Sequence, residues 1–164
     1  GMPAAFFCGE AGFDGMLECP RMPATRYHLV GARSIDPAEV DLLAARGADV
    51  NDMAEIDEHG IGAILRRILK EVEADDALLH VSLDVDFIEP DLAPGVGTTV
   101  PGGATVREAH LAMEMVGRCG RLISLDLVEL NPFLDDRGKS ARLMVDLAAS
   151  AFGRRIFDRP TQPA

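Results

Sequence analysis

Ala77-Leu78-Leu79-His80-Val81-Ser82-Leu83-Asp84-Val85-Asp86 decides the architecture of this chain. Residues 77–84 are apolar and partly β-branched, and the run ends in two acids two positions apart. It reads as a central strand of a parallel sheet. The flanking segments agree with that reading. Upstream, residues 53–72 read as helical with a break near His59-Gly60. There Ile61, Ile64, Leu65, Ile68, Leu69 and Val72 recur at three and four, leaving Arg66, Arg67 and Lys70 on the wet side. Downstream, Thr105 and Glu108 have the spacing of a capping box, which starts a helix over 105–119 that Gly120 ends. Residues 122–128 read as another buried strand, and 143–152 as a final helix.

The first third is built alike. A short helix over 3–8 leads into a loop. Residues 27–30 form a short apolar strand ended by Gly31. Asp36 and Pro37 then start a helix, with Asp36 at the N-cap and proline in the first turn, where its missing N–H is harmless. That helix stops at Gly47, and 48–51 read as a short strand. Strand and helix alternate throughout, which implies α/β architecture: a mainly parallel sheet with helices on both faces. The reading is one domain over 1–153 followed by a polar tail over 154–164.

The chain has 164 residues, 48% hydrophobic and only 5% aromatic with no Trp, so its core is aliphatic. The net charge of −11 argues against nucleic acid or an anionic membrane as partner and is compatible with a small cationic substrate. Cys8, Cys19 and Cys119 make an odd count without paired spacing, so neither a disulfide framework nor a thiolate zinc site is expected. A reducing, cytoplasmic setting fits best. No apolar run reaches the length of a membrane helix, and no secretory signal is expected.

The chemistry concentrates at strand ends. Residues two apart on a strand share a side, so Asp84 and Asp86 present two carboxylates to one place. That place is the C-terminal end of a parallel strand, where open α/β sheets bind ligands. Two like charges so close repel, and a divalent metal between them is the simplest remedy. The pair reads equally well as two acids capping loop amides. Glu129, just past 122–128, stands at the same edge of the sheet; three carboxylates converge if the two strands are neighbours, and by itself Glu129 is a solvated loop acid. Oxygen-rich sites suit Mg, Ca or Mn. The long loop between the first pair and the helix at 105, with Pro94, Gly95, Gly97, Pro101, Gly102 and Gly103, is of the kind that carries function.

The whole ordered set resembles the ureohydrolase family, which includes arginase, agmatinase and formimidoylglutamase. Its signature is matched by 82–90 (SLDVDFIEP), 93–98 (APGVGT), Pro101-Gly102-Gly103 and Arg107-Glu108. The stretch 124–132 (SLDLVELNP) is similar to the family's last active-site motif. The resemblance runs from about residue 1 to 153. It implies a three-layer α/β/α fold of the arginase/deacetylase kind, lacking its N-terminal side, and a manganese-dependent hydrolase acting on a guanidino group.

Carried over position by position, the resemblance implies that Asp84 and Asp86 are metal ligands of a binuclear Mn2+ centre. Glu129 then contacts the substrate guanidinium, and Thr98 lies near the guanidino end. Residues 31–39 (GARSIDPAE) resemble the arginase stretch that holds an α-ammonium group, placing Asp36 and Glu39 in substrate binding. This favours arginase over agmatinase, although Ser34 replaces a more usual acid, and Asp36 serves equally as a helix N-cap. None of His28, His59, His80 and His110 falls at a family ligand position; His80 reads as a core or second-shell histidine. The motif DAHxD, with which the family supplies further ligands, does not occur, and Gly1-Met2-Pro3-Ala4 resembles the residues just after a proton-shuttling histidine. The isolated chain is therefore expected to bind metal weakly and to be inactive alone. Two readings stand: part of an arginase-type hydrolase, or an inactive remnant that oligomerises through an open sheet edge. A DxD phosphotransferase is disfavoured, because Ile88 stands where that chemistry needs a Ser or Thr.

Overall fold

The computed structural model describes residues 2–13, 15, 16 and 20–155 in two compact units, 1–52 and 53–164. Cys19 and the expected tail beyond Arg155 lie outside the described residues.

In the first unit, α1 (Met2–Cys8) is followed by β1 (His28–Ala32), α2 (Pro37–Arg46) and β2 (Asp49–Asp52). The two strands pair in parallel with α2 as the crossover. The imidazole of His28 meets Asp49 across the first paired position at 2.7 Å. Gly31 does not end β1 as expected. It lies buried within the strand, at the irregularity between Val30 and Ala32. Asp36 does occupy the N-cap of α2, but its side chain makes no capping bond.

The second unit holds α3 (Met53–His59), α4 (Ile61–Ala74), β3 (Leu79–Asp84), α5 (Val106–Arg118), β4 (Leu122–Val128) and α6 (Lys139–Ala151). The expected break at 59–60 separates α3 from α4: Gly60 adopts φ 78°, a left-handed conformation that costs a side-chain-bearing residue more. The apolar stripe of α4 is buried at Ile61, Ile64, Leu65, Ile68 and Leu69. The capping box of α5 forms as read, with the Thr105 hydroxyl accepting from the Glu108 amide and the Glu108 carboxylate accepting from the Thr105 amide at 2.8 Å. Strands β3 and β4 pair in parallel with α5 between them. Leu83, Leu122 and Leu125 join Ala109 and Met113 of α5 and Met144, Leu147 and Ala151 of α6 in one aliphatic core.

Three expectations are corrected. Residues 77–84, read as a central strand, have one neighbour, β4, among the described residues. Residues 122–128, read as buried, expose Ile123 at 64% and Leu127 at 42%, because the described helices cover only part of β4. The final helix begins at Lys139 rather than 143. The Asp135 carboxylate takes the amides of Ser140 at 2.9 Å and Ala141 at 3.1 Å, satisfying N–H groups that a helix start leaves without partners.

Leu147 has no exposed surface at the centre of this core. Leu147→Ala is expected to destabilise the chain by about 2–5 kcal/mol, read from denaturant unfolding, by lost apolar burial plus a residual cavity. A loss below about 1 kcal/mol would mean that the site collapses around the smaller side chain.

Candidate functional site

Asp84 is the last residue of β3, and the chain then turns through one turn of 3-10 helix, Val85–Phe87. Asp84 caps that turn: its Oδ1 accepts the Asp86 amide at 2.9 Å. The two carboxylates are thus brought together by a tight turn, not by strand alternation as the sequence suggested, because the strand ends at Asp84, two residues before Asp86. Capping and convergence, first weighed as alternatives, are one arrangement.

The electrostatics bear the mark of crowded acids. Burial pushes the Asp84 carboxyl up, opposed by the hydrogen bond from the Asp86 amide. The charge of Asp86, a hydrogen bond with its side chain and the charge of Glu129 push it further, to about 6. Glu129 reaches this neighbourhood because β4 runs beside β3 in register, with Val128 opposite Asp84. One residue later Glu129 adopts φ 63°, a strained conformation for a side chain of this kind.

The loop from Ile88 to Ala104 closes on itself. Ile88 and Ala104 form an isolated parallel bridge. The Glu89 carboxylate accepts the amides of Gly102 and Gly103, both at 2.8 Å. In mid-loop, the Gly95 carbonyl accepts the Asn131 amide at 2.7 Å, tying the loop to the segment just past Glu129. Thr98 lies exposed on this loop. Asp36 and Glu39 belong to the first unit, at the N-cap and first turn of α2.

Each histidine has a polar partner in the fold. His80 is half exposed rather than in the core. It bonds Ser124 at 2.7 Å across the paired strands and approaches Asp126 at 3.5 Å, on the sheet face opposite Leu83. His110 joins α5 to α6 through Ser150 at 2.9 Å. His28 bonds Asp49, and exposed His59 lies 3.4 Å from Glu55. Two residues that the sequence reading passed over are Asp135 and Ser140, which fix the loop against the start of α6; their only signal was an acid shortly before an amphipathic helix.

Asp84 and Asp86 suit a divalent cation: two carboxylates side by side, one of them kept from ionising freely by burial and by the charge of the other. They fit as part of a coordination shell. Glu129 is near enough to raise Asp84 electrostatically, yet among the described residues no group of three or more His, Cys, Asp or Glu is placed to hold an ion. Six-coordinate Mg or Mn needs further donors.

The raised carboxyl has a consequence for stability. Folded Asp84 holds its proton to higher pH than the unfolded chain does, so its contribution is present at low pH and is lost as pH rises through about 6. Without divalent cation, wild type should therefore lose stability between the ordinary carboxyl range and pH 6 relative to Asp84→Asn. Parallel melting curves of the two proteins across that window would contradict a raised Asp84 carboxyl.

The arginase family model matches residues 1–153. Among curated relatives, an arginase from Brucella melitensis is 55% identical across 98% of this chain and 53% of its own length. An arginase from Agrobacterium fabrum is 53% identical across 98% of this chain and 50% of its own. The native structure of Bacillus caldovelox arginase superposes with a TM-score of 0.88 at 35% identity, covering 95% of this chain and 53% of that one. The chain thus spans about half the length of the relatives it matches, and its α/β fold is theirs. The aspartate pair, the clamped loop and Glu129 are laid out in a chain that belongs to the arginase family.

Proposed function

We propose that these residues form part of the active centre of an enzyme that hydrolyses the guanidino group of L-arginine to ornithine and urea. The observation that carries the reading is the Asp84–Asp86 pair at the end of β3, with Glu129, one residue past the end of β4, near enough for its charge to act on Asp84. Asp84 and Asp86 would hold Mn2+, alongside donors beyond those described. Manganese, when bound, supplies Lewis-acid activation of the attacking water. Glu129 offers a carboxylate to the planar guanidinium, whose N–H fork it can orient by charge-assisted hydrogen bonds. Thr98 would border the guanidino end; a part for Asp36 and Glu39 in substrate binding is a separate proposal, carried by the resemblance of residues 31–39 alone. The net charge of −11 favours approach of a cationic substrate, and the odd cysteine count fits a reducing, cytoplasmic setting. No helix among the described residues is long and apolar enough to cross a membrane.

The experiment is urea release from arginine with manganese, by this chain alone and with the complementary half of a relative supplied. The chain alone is expected to be inactive, for want of donors, and the complemented chain active. Glu129→Gln should then lower kcat/KM by about a hundredfold or more, and Asp84→Asn should abolish manganese dependence along with activity. Activity untouched by either substitution would contradict the assignment.

A second reading, assembly with another copy of this chain, is favoured by the open side of β4. There Ile123, Leu127 and Phe152 border a groove of about 280 Å³. Sedimentation should then show an oligomer that Ile123→Lys dissociates; a monomer at all concentrations would count against it.

A further inference from the structure

Resting on the arginine-hydrolase reading, we propose that Asp135 and Ser140 are positioning residues. They hold the Pro94–Val96 segment against the chain that follows Glu129, and so set Thr98 and Glu129 relative to each other. The Ser140 side chain has no exposed surface, and its Oγ accepts the buried Gly95 amide at 2.8 Å. On the other side of the same residue, the Gly95 carbonyl accepts the Asn131 amide at 2.7 Å. Gly95 is thus bonded from both its polar groups to the segment 131–140. Two residues separate Gly95 from Thr98, and one separates Glu129 from Asn131.

The bracket leaves no slack. A Cβ at Gly95 would lie 2.8 Å from the Asp135 Cβ and 2.9 Å from the Ser140 Oγ, so backbone and side chains are already in contact there. Asp135 in turn fixes Ser140. Its carboxylate accepts the Ser140 and Ala141 amides. Burial would push the Asp135 carboxyl up, but those amides and the Ser140 hydroxyl together hold it below its ordinary value. Ser140 is therefore held by its own amide, which donates to Asp135, while its hydroxyl oxygen accepts from the loop. Removing the hydroxyl strands a buried amide and frees the loop at the point nearest Thr98.

The test is steady-state kinetics of wild type, Ser140→Ala and Asp135→Asn, in whichever preparation, chain alone or complemented, releases urea. Melting temperatures confirm that each variant folds. Ser140→Ala should raise KM for arginine by about tenfold while changing kcat less than about threefold, with manganese dependence unchanged; Asp135→Asn should move KM the same way. A folded, active Ser140→Ala with wild-type KM overturns the positioning role alone. Wild type that releases no urea in either preparation overturns the functional reading, and this inference with it.

Discussion

Asp84 and Val128 are partners in a parallel pair, and so are the four positions before them, down to His80 opposite Ser124. In such a ladder the two chains run the same way, so their C-terminal ends arrive together and the acids that follow must share a small volume. A slip of one residue would turn every side chain of β4 to the other face. Leu125 would leave the core, and Ser124 would leave His80. The pairing is held because apolar and polar faces both demand this register. Leu83 and Leu125 belong to one aliphatic core, while His80 spans to Ser124 and toward Asp126 on the opposite face. Everything proposed for the site depends on that register.

Given it, the local chain decides the rest. The tight turn after β3 folds Asp86 back over Asp84, and the left-handed residue after β4 redirects the backbone at Glu129. The loop from Ile88 to Ala104 is fastened at both ends by Glu89 and in the middle by Ser140 and Asn131. Such fastening replaces the water that a glycine-rich loop would otherwise keep on its amides, and it makes a loop able to hold a residue in place. The stored cost is visible in the Asp84 carboxyl, pushed up by burial and by neighbouring acids. A site that is uncomfortable with its own charges favours a cation.

Much of this was legible in the residues. The ends of β3 and β4, the capping box of α5 and the split between α3 and α4 follow from apolar period and punctuation, which are local properties. Burial was less legible. Residues 122–128 have the composition of a covered strand, but coverage depends on what packs on them, and Ile123 and Leu127 are open among the described residues. The aspartate pair was found for a partly wrong reason: alternation predicts convergence only while the strand lasts, and β3 stops at Asp84. The role of Ser140 was invisible, because its partner Gly95 lies forty-five positions away and no spacing rule links a helix-start serine to a distant loop amide. Asp36 shows the converse. The N-cap position was right, yet the side chain makes no capping bond there, so its proposed place in substrate binding does not compete with that role.

Asp84 and Asp86 are proposed to share a cation. Anomalous diffraction from crystals grown in manganese tests this directly. The predicted result is a peak bridged by both carboxylates at the end of β3. Carboxylates turned to separate hydrogen-bonding partners, with no peak between them, would contradict it.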